Sequence, residues 1–279
     1  MLADTVRLFY ASIIVLSVTS ATLLPQVEPA WRDTLGRVIA AFAAELVAIA
    51  LLRQVLPKPN PGLHRVGKSD DHAVWLLSAA LAEVAMAWPF RAPFWLLGST
   101  RCLYLRALGA EVSWSASIAP DTVVRDPVLV SIGPGARVEP GACLETVVHS
   151  AGRIHIGRIT IGANVTLGQH AVILPGAAIA HEARVGPGAI IGIESRVGVG
   201  SSIGARAVIG DRVELGAYTV VGAGAIIAEG AKVNDRARVM PGAVVPPDAI
   251  VNEREVWPAA GTSAVSLSVP SSVSLRVVE

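Results

Sequence analysis

Ile161-Gly162-Ala163-Asn164-Val165-Thr166-Leu167-Gly168-Gln169-His170-Ala171-Val172-Ile173 places a branched aliphatic residue at every sixth position, and the spacing then runs without a miss to Val251. The set continues Ile179, Val185, Ile191, Val197, Ile203, Ile209, Leu215, Val221, Ile227, Val233, Val239 and Val245. Four places after each of these stands a residue no larger than Val: Val165, Ala171, Ala177, Ala183 and so on to Ala249, with Ser195, Ser201 and Thr219 among them. A helix repeats at 3.6 residues and a half-buried strand at two, so neither explains a period of six. The period is that of a parallel β-solenoid, in which each hexad supplies one short strand and a turn. Three hexads close a triangular coil, coils stack at about 4.8 Å, and each buried branched side chain contributes about 1.5–3 kcal/mol. The Gly after many branched positions, such as Gly162, Gly168 and Gly204, is expected to relieve the bend at a corner.

Upstream the register continues with interruptions. Val112, Ile118 and Val124 form one run and Ile132, Val138 and Leu144 a second, with two extra residues between them. From Leu144 to Ile161 is seventeen steps, so the chain from about Thr146 to Thr160 either distorts a coil or leaves it as a loop. Loops on a rigid scaffold are where function concentrates.

Composition separates the first hundred residues from the rest. The chain is 52% hydrophobic and 16% charged, and the apolar excess lies mainly before residue 100. Phe9 to Leu24 is uncharged and Val38 to Leu52 is apolar but for Glu45, each approaching a bilayer span with its flanks. Ala73 to Gly98 contains Glu83, Arg91, Pro89 and Pro93 and reads as an interfacial or broken helix. The link Arg53 to His72 carries Arg53, Lys58, Arg65 and Lys68, whereas Pro25 to Gly36 carries only Arg32, so the second link is expected on the cytoplasmic side. A net charge of +1 gives no reason to expect a nucleic-acid partner. Two cysteines, Cys102 and Cys143, form no framework and suit a reducing compartment. The organisation expected is a helical membrane or interfacial region over residues 1–98, a connector over 99–111, a β-helix over 112–259 and a disordered tail over 260–279.

The run Ile159-Thr160-Ile161-Gly162 to Gly168, followed by Ile173-Leu174-Pro175-Gly176-Ala177-Ala178-Ile179, resembles the hexapeptide-repeat acyltransferase superfamily. Val245-Pro246-Pro247-Asp248 and Pro258-Ala259 are similar to the way helices of that superfamily end. The resemblance implies an all-β left-handed parallel β-helix, a homotrimer with sites in the clefts between subunits, and a thioester donor, either acyl-CoA or an acyl carrier protein. The order of apolar segments, Trp95-Leu96-Leu97, Tyr104 to Ala110 and then hexads is similar to one branch in particular, the membrane-embedded terminal portions of polylysine-synthetase-like nonribosomal peptide synthetases. Adenylation and carrier domains of that branch are absent from this sequence, so the likeness implies a stand-alone or truncated version whose acyl donor comes from elsewhere.

Acyl transfer needs a base for the attacking amine or hydroxyl, and His is suited to that near neutrality. His64 and His72 lie in the polar link and read as solvated. His149 stands in the irregular stretch, about where acetyltransferases of the superfamily place their catalytic His ahead of the Ile-Thr-Ile-Gly run. Aligned without gaps to the synthetase-like branch, however, the His position is taken by Val147, and His149 replaces it only after a shift of two residues. Ile179-Ala180-His181-Glu182-Ala183-Arg184-Val185-Gly186 resembles a motif of the nucleotide-sugar N-acyltransferases in which the His is the base and the acidic neighbour orients it. His149, His181 and Glu182 are therefore the candidate catalytic residues, each with a plain alternative as a loop or corner residue. His155 and His170 read as outward residues. The γ-class carbonic anhydrases share the fold and bind zinc through three His, but His170 is followed at their spacing by Pro175, so no metal is expected. The function expected is transfer of an acyl or aminoacyl group to an amine or hydroxyl at the bacterial cytoplasmic membrane, with the β-helix on the cytoplasmic side. The alternative is a β-helical scaffold without catalysis. If the hydropathy and charge bias are read correctly, Ser69→Cys will resist an impermeant thiol reagent in intact cells and label after lysis; labelling of intact cells would reverse the orientation.

Overall fold

In a computed structural model, the structure describes residues 30–65, 70–87, 91, 94, 98–150 and 152–258. Its body is a parallel β-solenoid of about eight turns with three flat faces, an architecture that fits a left-handed β-helix. The first face stacks eight strands, from Glu111–Val112 to Ile250–Val251. The second stacks eight, from Ser117–Ile118 to Val256–Trp257, and the third seven, from Val123–Val124 to Val244–Val245. Residues eighteen apart pair in parallel, as in Ile161 with Ile179, Leu167 with Val185 and Ile173 with Ile191. Every branched residue of the sixfold series from Val112 to Val251 is buried, and so are the small residues from Val165 to Ala237. Buried hydroxyls in the small set are satisfied by backbone: Ser195 Oγ donates to the Gly210 carbonyl at 2.6 Å and Ser201 Oγ to that of Gly216 at 2.8 Å.

The glycines one place after the branched residues have a different role from the one expected. The positive φ at each corner falls two places later, at Asn164 (55°), Glu182 (61°) and Tyr218 (56°) or at a Gly such as Gly176 (77°). What Gly162 and Gly168 provide is room. A Cβ on Gly162 would lie 2.7 Å from the backbone nitrogen of His181, and one on Gly168 would lie 2.6 Å from that of Pro187. Coil stacking forbids a side chain there.

The two register breaks occur at the same corner of consecutive coils, between the third face and the first. After Val124 the extra residues form a 3₁₀ turn, Pro127–Leu129. After Leu144 the chain leaves the solenoid as an antiparallel hairpin and returns at Ile159. With Gly62–Arg65 as β1, Val147–Ser150 as β2 and Arg153–Ile156 as β3, the three form one antiparallel sheet in the order β1-β3-β2. His64 thus belongs to a strand opposite Ile154, not to a solvated link. Ile154 and Ile156 pack with Val128 and Leu129 under the hairpin.

Three helices cover the early coils: α1 (Ala30–Val55), α2 (Asp70–Met86) and α3 (Gly98–Ala107). The stretch expected to be a connector is α3, which buries Cys102, Tyr104 and Leu105 against the first coil. Arg106 Nη1 donates to the Val112 carbonyl at 2.7 Å and fixes the junction. The membrane reading of the helical region changes. Among the described residues no helix is long and apolar enough to cross a membrane. Phe9 to Leu24 lies outside the described residues. Val38 to Leu52 falls within α1, whose inward face includes buried Glu45 and Arg53. Tyr104 Oη donates to Glu45 at 3.2 Å and Arg53 Nη1 to Ser78 Oγ at 3.2 Å, so these polar groups tie α1 to α3 and α2. Trp75 of α2 also meets the solenoid directly, at Asp126.

Ile203 is 2% exposed in the middle of the stack. Ile203→Asp puts an unpaired charge there, and the variant is expected to lose its β circular dichroism signal and its protease resistance; a folded, resistant variant would show the register to be wrong.

Candidate functional site

The two extra segments and α2 enclose a cavity of about 690 Å³. From α2 come Trp75, Leu76, Ala79, Glu83 and Met86. From the inserted corners come Arg125, Asp126, Glu145, Val147 and His149, with Val123 of the third face beneath. The cavity therefore exists because extra residues leave two stacked coils at one edge and a helix covers them.

Its innermost polar group is Asp126, 4% exposed. Oδ2 accepts the Thr146 hydroxyl at 2.8 Å and the Trp75 indole N–H at 3.3 Å. Burial pushes this carboxyl above its ordinary range, the two donors and Arg125 opposing that shift and Glu145 adding to it. Trp75 in turn meets the His149 ring edge-on, with centroids 5.8 Å apart at 70°. One indole thus connects α2, the first inserted corner and the hairpin. Arg125 Nε pairs with Glu145 Oε2 at 3.1 Å. The Cys143 thiol donates to Glu145 Oε1 at 3.2 Å, and burial together with Glu145 pushes it up to about 12. It is thereby kept a thiol near neutrality and is no nucleophile there.

His149 is exposed at the cavity wall on β2. Alternate residues of a strand share a face, and Val147 and His149 both line the cavity. The two-residue shift needed to bring His149 to the place of Val147 therefore moves it along the same wall.

His181 and Glu182 lie elsewhere, at the corner between the first and second faces of a later coil. The structure does not bring them to His149. His181 Nδ1 accepts the Ala163 N–H at 2.9 Å. In the neutral ring that bond leaves the proton on Nε2. Asp211 accepts from Ile193 N–H and Asp235 from Ala217 N–H at 2.7 Å each, across the same eighteen residues. His181 thus has the corner-capping geometry of two residues with no connection to the cavity. Glu182 holds the positive-φ position of its corner, as His170 does. His155 on β3 stands 3.6 Å from Glu194. No group of three or more potential metal ligands occurs among the described residues.

Asp126 and Trp75 were not singled out by the sequence reading. The signal for Asp126 was present: it sits in the first break of the sixfold register. Trp75 had none, because its meeting with Asp126 spans fifty-one residues between two different kinds of structure.

The raised Asp126 carboxyl fixes a stability trend. Its folded form binds a proton more readily than its unfolded form, so the penalty for burying the charge is full well above the folded value and is relieved as pH falls through it. Asp126→Asn keeps an acceptor for Thr146 or Trp75 and removes the charge. Its thermal midpoint is expected to exceed that of the unsubstituted chain at neutral pH, with the gap narrowing toward acid; a gap that widens on acidification would contradict this account.

No protein-family model matches the chain, and no curated protein matches it. Solved structures match over about half of it. The acetyltransferase domain of PglB from Neisseria gonorrhoeae FA1090, in complex with acetyl coenzyme A, is 18% identical, with 53% of this chain and 63% of that chain covered and a TM-score of 0.27. PerB from Caulobacter crescentus, in complex with CoA and GDP-perosamine, is 22% identical, with coverages of 56% and 62% and a TM-score of 0.22. Francisella novicida UDP-N-acetylglucosamine acyltransferase is 14% identical, with coverages of 53% and 60% and a TM-score of 0.23. The chain spans about three fifths of the length of these three solved structures.

Proposed function

We propose that this chain is an acyltransferase of the hexapeptide-solenoid kind, with His149 as general base in the cavity under the hairpin. The observation that carries the reading is the placing of the two register breaks. They turn an otherwise regular scaffold into a walled cavity with an imidazole at its rim and a buried carboxylate inside. In the proposed reaction His149 takes the proton of an amine or hydroxyl as that group attacks the thioester carbonyl. The tetrahedral adduct collapses, the C–S bond breaks and the thiolate leaves with the proton from the imidazolium. The donor in this reading is acyl-CoA or a carrier-protein thioester, and the group moved is acyl or aminoacyl. Trp75 sets the imidazole orientation, and Asp126 holds the indole nitrogen.

The remaining parts of the reading are a homotrimer and a membrane location. Self-association is supported by the third face, whose outward residues include Val123, Val172, Ile190, Val208, Ile226 and Val244, all apolar. Contact with the cytoplasmic membrane is supported by an outward stripe on α1, where Ile39, Val47, Leu51 and Val55 are each more than half exposed. The basic link contributes β1 to the hairpin sheet, so in this reading link and solenoid share one side of the membrane, and the Lys and Arg of the link support the cytoplasmic side. A scaffold without catalysis is the second reading, and Val147 on the cavity wall is the observation that favours it.

Thiol release from acyl-CoA donors, followed with a panel of amines and alcohols, separates the two. His149→Ala is expected to lose about 10²–10⁴-fold in rate, whereas His181→Ala stays near full activity. Equal rates in all three proteins would remove His149 as the base, and an inactive but folded, trimeric parent chain would favour the scaffold.

A further inference from the structure

Asp126 raises a question that the proposed proton transfer does not answer. A carboxylate this deeply buried ordinarily meets a cation. Here both hydrogen bonds come from neutral donors, and both reach Oδ2. Oδ1 takes part in neither bond, and Asp126 lines the cavity. The nearest guanidinium, on Arg125, is engaged with both oxygens of Glu145 at 3.1 and 3.3 Å. Across the whole cavity three carboxylates, Glu83, Asp126 and Glu145, face two guanidiniums, Arg91 and Arg125. The rest of the wall is apolar, from Leu76, Ala79 and Met86 on α2 to Val123 below.

We propose that the cavity binds an organic ammonium compound with an apolar body, its ammonium paired with Asp126 Oδ1 and its body lying along α2. This names the ligand class of the site proposed above and rests on that site being a binding cavity. The ammonium supplies hydrogen-bond donors for Oδ1 and a positive charge besides that of Arg125, which is paired with Glu145. Trp75 meets both Asp126 and His149, so the ammonium and the imidazole share that indole as a neighbour. The same burial that raises the Asp126 carboxyl makes pairing with a cation favourable, because a desolvated anion gains most from a partner. Anionic ligands of the same shape meet one more carboxylate than guanidinium and bind more weakly.

The test is calorimetric titration of the full chain with three probes of one length, octylammonium, octanol and octanoate, at neutral pH. Octylammonium is expected to bind saturably, about tenfold or more tightly than octanoate. Asp126→Asn should lose about tenfold or more for octylammonium and leave octanol unchanged. Trp75→Phe, which removes the indole N–H but keeps a ring, should retain the preference for the cation. Octanoate binding as tightly as octylammonium, Asp126→Asn binding octylammonium as before, equal loss of octylammonium and octanol, or no saturable binding of any probe would each overturn the assignment. Because no turnover is measured, ammonium binding by a chain without acyl transfer would sink the enzymatic reading and leave this one standing, while acyl transfer without cation binding would do the reverse.

Discussion

The ladder of backbone hydrogen bonds between stacked coils governs this molecule. From Ile161 onward each strand pairs with strands eighteen residues away, so each of these coils returns to the same place after three equal sides. A coil that gains residues cannot lengthen a side without losing that register. The extra chain has to leave at a corner, where the ladder is interrupted anyway. The 3₁₀ turn and the hairpin do so at one corner of adjacent coils, and their stacking holds Asp126 beneath Thr146. A regular fibre-like body is thus compatible with one irregular region, and that region contains the cavity.

The requirement explains which parts could be read from residue order. The branched series and the small series are local repeats of a single interaction, the same side chain stacked on its counterpart, so each hexad confirms the last. The breaks were equally legible as arithmetic, but their content was not. Whether Thr146 to Thr160 distorted a coil or left it depends on β1, which comes from a segment read as polar link. The glycines after the branched residues were legible as necessary and were given the wrong reason, since a bend within one coil and a close approach between two leave the same residue in the sequence. His181 and Glu182 fit a family motif and also fit a corner; only the Ala163 hydrogen bond and the positive φ show how the corner uses them. Glu45 interrupts an apolar segment in a way that hydropathy treats as a blemish, whereas in the fold it is one end of a contact with Tyr104.

Asp126 brings stability and chemistry into opposition. Most solenoid residues follow the local rules: branched and small residues inside, polar residues at corners, and buried hydroxyls such as those of Ser195 and Ser201 bonded to backbone. Asp126 departs from them as a nearly buried charge with neutral partners, at the corner where the repeat itself departs. Local departures of this kind, held in place by a rigid surround, mark functional positions more often than packing errors.

The sheet formed by β1 and the hairpin also orders events in time. Gly62 lies opposite Ile156, so about ninety residues of chain must be made before β1 can find its partner, and loops of that size slow the formation of the contacts that close them. During synthesis the helices emerge first and meet no solenoid. The hairpin must be present before β1 can be captured. The cavity is consequently completed only once the hairpin has been made, and a chain stopped before the hairpin would have its helices without the wall they cover.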